Sequence, residues 1–226
     1  MKSRQTGFTL VEIAIVLVII GLLLGGVLKG QELINSAKVK NLANDFRTIP
    51  IYIYGYQDRF RALPGDDKDV VAHLGTDATL ATASSGGKVG NGVIEGTWNS
   101  ETPTNESYLF WQHVRLAGFA PGPTVAGSDN YLPKNAEGGR IGVTGANNRP
   151  ITNLRGTYFI CSEGISGRFA KQLDLMMDDG NTATGSMMTS DGGTSAIPNT
   201  GITGTEDTPG TAGIDDGLTY TVCMGV

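Results

Sequence analysis

The chain has 226 residues, 39% of them hydrophobic, enough to bury one core and too many for a disordered chain. Its charge is uneven: residues 1–68 carry nine Lys/Arg against six Asp/Glu, whereas 69–226 carry eight against sixteen, so the C-terminal body is net −8. An acidic body without a basic aromatic stripe gains little from neutralising phosphates, which argues against nucleic-acid binding and leaves proteins or cations as partners.

Residues 1–7 are polar, with Lys2 and Arg4, and 8–28 form a run of 21 residues in which Glu12 is the one charge. As a helix such a run spans roughly 30 Å, the thickness of a bilayer core. The basic flank keeps the leader cytoplasmic and sends the remainder outward. An ordinary secretory signal would place small residues after the apolar stretch. Gly25-Gly26 and Gly30 are there, but no A-x-A pattern is, and the sequence beyond Gly30 continues as helix. A carboxylate in hydrocarbon costs about 2.5–3.5 kcal/mol unless it is partnered or reaches the interface, so Glu12 calls for a partner.

The basic leader, the run Gly7-Phe8-Thr9-Leu10-Val11-Glu12 and the apolar helix behind it resemble the class III signal of type IV prepilins and type II secretion pseudopilins. The resemblance implies that a prepilin peptidase cuts between Gly7 and Phe8 and N-methylates Phe8. It further implies that Glu12, fifth after the cut, pairs with the freed α-amino group of a neighbouring subunit's Phe8 and sets axial register. Major pilins of that family commonly carry Pro where the apolar half ends. Here Gly25-Gly26 and Gly30 stand instead, each loosening a helix by about 1 kcal/mol relative to Ala.

Leu42, Phe46, Ile49, Ile53, Tyr56 and Phe60 recur at helical spacing, which predicts an amphipathic continuation over 29–60 that ends at Leu63-Pro64-Gly65. Pro50 predicts a kink within it. Beyond residue 64 the chain is rich in Gly, Thr, Ser, Asn and Asp, the composition of a loop-rich β domain. Residues 62–104 read as loop with short extended pieces. A second helix begins near Asn105, with Leu109, His113 and Leu116 on one face, Tyr108 and Trp111 in packing, and Gly118 as its stop. Residues 156–163 read as a strand. A third helix follows from Ser166, with Phe169, Leu173 and Met176 in register, closing at Asp178-Asp179-Gly180-Asn181. Residues 181–217 read as a polar excursion, and 218–224 as a last strand with Leu218, Tyr220, Val222 and Met224 on one face and Cys223 on the other.

Cys161 and Cys223 are an even pair but too few to define a disulfide scaffold by count. An extracytoplasmic body favours oxidation, leaving two buried thiols as the alternative. A disulfide near the C-terminus also recurs in the family resembled. Of the two histidines, His73 and His113, the second lies on an amphipathic face and reads as a packing residue. No G-x-S-x-G elbow, H-E-x-x-H pair or phosphate-binding G-x-x-x-x-G-K-[ST] loop occurs. Asp66-Asp67, Asp178-Asp179 and Asp215-Asp216 are acidic turns that either cap the backbone or offer oxygens to a hard cation. Asp178 and Asp179 are the candidate Ca²⁺ ligands, with no other cofactor expected.

The sequence thus predicts an α+β protein with a long N-terminal helical spine packed on a small antiparallel β-sheet head with long irregular loops. Its parts are a leader (1–7), a membrane and filament-core helix (8–28), the amphipathic half of the spine (29–62) and a head (63–226). The expected role is a non-enzymatic subunit of a homo-oligomeric helical filament, anchored in a Gram-negative inner membrane before assembly and periplasmic or extracellular afterwards. Its expected partners are the prepilin peptidase, an inner-membrane assembly platform and copies of itself. Alternatives are a type II secretion pseudopilin, a minor tip or adhesin subunit binding through 181–217, and a membrane-anchored periplasmic enzyme or binding domain.

Overall fold

A computed structural model describes residues 10–82, 88–197 and 213–226. By its contacts the chain divides into two units, one ending at Lys38 and one spanning Val39–Val226. One helix, α1 (Leu10–Phe60), runs from the first into the second. In the first unit its large apolar side chains are exposed, from 90% at Leu10 to 46% at Ile20. Lys29 and Glu32 pair at 2.7 Å on its surface, three residues apart as helical neighbours require.

In the second unit α1 becomes amphipathic. Val39, Leu42, Ala43, Phe46, Ile49, Ile53 and Tyr56 are buried, repeating every three or four residues on one face. Pro50 lies within the helix without ending it. The stop comes at Arg61, a non-glycine residue at φ 56° whose N–H bonds back to Gln57 O at 2.9 Å, closing the helix with a left-handed residue.

Three further helices follow: α2 (Val70–Leu74), α3 (Glu106–Leu116) and α4 (Gly167–Met177). Four strands, β1 (Ile141–Gly145), β2 (Tyr158–Ser166), β3 (Met187–Ser190) and β4 (Thr219–Gly225), form one antiparallel sheet in the order β1-β2-β4-β3. Side chains alternate across it. Val143, Ile160, Ile165, Met187, Tyr220 and Val222 join the main core with the buried row of α1, Tyr108, Phe110 and Trp111 of α3, and Phe169 and Leu173 of α4. On the other face Phe159, Cys161, Met188 and Cys223 are covered by Ile151 and Leu154 of the β1–β2 connection. A register shift between Ser162 and Ile165 marks a bulge in β2, with Gly164 at φ 71°.

The architecture is the predicted one: a long N-terminal helix on a small antiparallel sheet. Four local expectations are corrected. The region 62–104 contains the short helix α2 and, among the described residues, no strand. β1 was not predicted, because its sequence, Ile-Gly-Val-Thr-Gly, carries glycines where a strand signal needs branched or aromatic residues. The excursion 181–217 contains β3, whose four residues are all buried, so this region is partly structural. On α4, Met176 is 44% exposed, while Asp174 is fully buried in its place. The helix therefore turns the Ala170–Asp174 edge inward rather than the row through Met176.

Cys161 and Cys223 face each other across β2 and β4 and form a disulfide with a sequence separation of 62. In the chain-entropy treatment, closing a loop of that size raises stability by about 4 kcal/mol. Denaturant unfolding of the full chain in mild detergent should therefore show the reduced protein about 4 kcal/mol less stable than the oxidised one. Equal midpoints would mean the crosslink is not a stabiliser.

Candidate functional site

The residues singled out at the N-terminus divide at Leu10. Gly7 and Phe8 lie outside the described residues. Glu12 stands in the first turn of α1 and is the one acidic or basic residue from Leu10 to Leu28. Around it, Val11, Ile13, Ile15 and Val16 are all about half exposed or more. The segment is a helix with apolar side chains all round and one carboxylate, long and apolar enough to cross a membrane.

At the other end of α1 the connection 63–69 brings two carboxylates inside. Asp67 is fully buried; its Oδ2 accepts from Tyr56 Oη at 2.7 Å and from His73 Nδ1 at 2.7 Å, and its Oδ1 accepts from the Asp69 N–H. Burial, then the hydrogen bond to Asp67, drive the Tyr56 pKa up, so this hydroxyl stays a donor. Asp66 accepts the backbone N–H groups of Gly90, Asn91 and Gly92, tying the 88–92 turn to the end of the spine. Gly65 adopts φ 91°, and a Cβ there would collide with the Glu106 carbonyl, so this close approach requires glycine. Its N–H donates to His113 Nδ1 at 2.9 Å, while His113 Nε2 lies 2.9 Å from Thr79 O. His113 is therefore neutral, with the proton on Nε2, and burial lowers its pKa. Both histidines serve the fold: His113 as the packing residue foreseen, His73 as a partner of Asp67.

Glu106 completes this network. It is fully buried in the first turn of α3; Oε2 accepts from the Glu95 N–H at 2.7 Å and Oε1 finds no donor. Burial pushes its pKa up to about 8 from the ordinary 4.5, the Glu95 N–H pulls the other way, and the charges of Asp66 and Glu95 raise it further. Asp66 is likewise raised, first by burial and against the three amides it accepts. Burial and the neighbouring carboxylates thus favour the protonated form of Glu106. A first-turn glutamate is ordinary in sequence, and nothing in the spacing marks Glu106 as buried.

The acidic turns behave differently from one another. Asp215 Oδ1 accepts from the Gly217 N–H at 2.7 Å and Asp216 pairs with Lys171 at 2.9 Å, so both are locally satisfied. Asp178 and Asp179 lie at the end of α4 with Asp174, one oxygen of each within 4.8 Å of the others. Asp174, absent from the sequence-derived set, is reached by helical period: four residues after Ala170, on the inward edge.

Residues 2–28 match the family model of the prokaryotic N-terminal methylation motif. No curated protein and no solved structure matches the chain. The match covers the leader, Gly7, Phe8, Glu12 and the apolar run together, and this class III signal is typical of type IV pilins and pseudopilins. This signal supports a type IV pilin-like or pseudopilin subunit, and the long N-terminal helix on a small antiparallel sheet is consistent with that fold.

The proton on Glu106 gives a pH dependence. Unfolded, Glu106 ionises near 4.5; folded, near 8. The native state thus binds a proton that the unfolded state has released, so stability is intact below the lower value and falls as pH rises toward the upper one. Asp45, raised to about 6 by burial, adds the same sign. Thermal unfolding should show a midpoint falling between pH 5 and pH 8, and Glu106→Gln, which keeps the shape and cannot ionise, should flatten that slope. An unchanged slope in the variant would remove Glu106 as the source of that dependence.

Proposed function

We propose that this chain is a structural subunit of an extracytoplasmic helical filament built from copies of itself. The observation that carries it is the exposed apolar surface of α1 from Leu10 to Leu28, interrupted by Glu12 alone and preceded by the methylation motif. Before assembly this surface lies in the inner membrane of a Gram-negative cell, with the acidic head outside. After a cut between Gly7 and Phe8 and N-methylation of Phe8, an assembly platform moves the helix from lipid into a bundle of like helices. In both environments the apolar side chains stay out of water, so the transfer costs little. Glu12 is what differs. Its carboxylate is costly in hydrocarbon and finds the N-terminal ammonium of the adjoining copy's Phe8, which turns a non-directional apolar contact into a fixed axial step.

A second reading, a minor subunit or a secretion pseudopilin rather than the major subunit of a retractile pilus, is supported by the absence of Pro from α1 before Pro50 and by Gly25, Gly26 and Gly30 in its apolar half. A tip adhesin using 181–217 as a dispensable binding loop is not favoured, because that region includes β3, paired to β4 along its whole length.

Replacing Glu12 by Ala should leave membrane insertion and leader removal intact while lowering incorporation into sheared filaments by about tenfold or more. Immunoblots of sheared and membrane fractions read both quantities. Incorporation equal to wild type would contradict the register role, and failure to insert would show that Glu12 acts earlier than assembly.

A further inference from the structure

Two charges of opposite sign line one cavity between α1 and α3, and neither is neutralised. The cavity has a volume of about 200 Å³ and is lined by Asp45, Thr48 and Tyr52 of α1, Trp111 and Arg115 of α3, and Pro133. Asp45 is half-buried, and among the described residues its carboxylate has no hydrogen bond or ion pair. Burial pushes its pKa up to about 6, with no donor or cation pulling the other way. Lys134 also lines the cavity, but it is exposed and forms no ion pair with Asp45.

Arg115 is buried, 8% exposed, and is held by neutral groups. Its Nε donates to Pro121 O at 3.2 Å, and its Nη1 to Pro123 O at 2.9 Å and Tyr131 O at 2.7 Å. These carbonyls fix the guanidinium without cancelling its charge, and they leave Nη2 uncommitted among the described residues. The guanidinium carbon lies 5.7 Å from the Trp111 ring centre and 5.3 Å from that of Tyr131. Gly122, at φ 127°, lets the loop close on this group, because a Cβ there would come within 2.7 Å of Nε. Arg115 and Asp45 do not pair with each other, yet both reach Tyr52. After burial, the Asp45 charge raises the Tyr52 pKa and the Arg115 charge lowers it, so this phenol stands in the field of both.

We propose that this cavity binds a small zwitterion of the amino-acid class, with its ammonium on Asp45 and its carboxylate on Arg115. A partly buried charge without a partner destabilises a fold, and here there is one of each sign. Water carries no net charge and neutralises neither. A single ion neutralises one and leaves the other. A molecule with a positive and a negative end answers both, and a carboxylate suits the guanidinium edge that the three carbonyls leave open. Size points the same way: a cavity of about 150 Å³ takes a molecule like benzene, so this one suits a compact amino acid and is too small for a nucleotide or an oligosaccharide. The site is independent of the filament reading, and its ligand joins α1 to α3.

The test uses the full chain in mild detergent, in a buffer free of amines and carboxylates. Glycine, β-alanine and γ-aminobutyrate, which set the two charges progressively further apart, are titrated by calorimetry while melting temperature is followed. Methylammonium and acetate, each carrying one end only, are the controls. Expected are saturable one-to-one binding of at least one zwitterion with a Kd of about 1 mM or tighter, a rise in melting temperature that tracks occupancy, and binding of either control at least about tenfold weaker. Asp45→Asn, which keeps the shape and removes the charge, should melt no lower than wild type without ligand and bind at least about tenfold more weakly. Thr48→Leu, which adds bulk to the lining and touches neither charge, should also lose binding. No saturable binding of any zwitterion by wild type up to about 10 mM, a control that binds as tightly as the best zwitterion, or undiminished binding by Asp45→Asn would each overturn the assignment.

Discussion

Everything distinctive about this protein follows from apolar surface that one chain cannot bury. Along α1 from Leu10 to Leu28, side chains that would form the core of an ordinary domain stand exposed, Leu22 at 74% and Leu17 at 64%. At about 25 cal/mol per Å² such a surface is untenable in water, so it must be covered by lipid or by other chains. The two covers are interchangeable for Leu, Ile and Val, which under the proposed function lets one helix serve as anchor and then as assembly element. On that proposal specificity comes from Glu12, the one charged residue in the stretch.

The second unit answers a different demand, which is to hold a helix along one face and stop it firmly. Apolar packing does the first through the row from Val39 to Tyr56. Polar chemistry does the second. Arg61 closes the helix, Asp67 gathers Tyr56 and His73, Asp66 gathers the 90–92 amides, and Glu106 holds the Glu95 N–H. These groups sit where the spine hands over to the head, and their burial makes them directional. The disulfide plays the corresponding part on the far face of the sheet, joining β2 to β4.

How much of this the sequence discloses depends on how periodic each element is. The buried row of α1 is legible because six apolar residues keep helical spacing over 19 positions, and β2 and β4 because branched and aromatic residues cluster between turn formers. β1 and β3 escape for the same physical reason: a short strand buried on both faces shows no alternation, and Gly142, Gly145 and the Met-Met-Thr-Ser of β3 carry little strand preference. The N-terminal signal is legible almost whole, since its chemistry is local and linear. The charged cores are not. Asp174 and Glu106 look like surface residues of amphipathic helices, and only the packing of α4 and α3 reveals that they are buried.

The most direct test of the central claim is the intact mass and N-terminal fragmentation of this chain recovered from sheared filaments. The account predicts a polypeptide lacking residues 1–7 and beginning with N-methylated Phe8. Filaments without this chain, together with a cellular form in which the Gly7–Phe8 bond is uncut, would contradict it and leave α1 as an anchor alone.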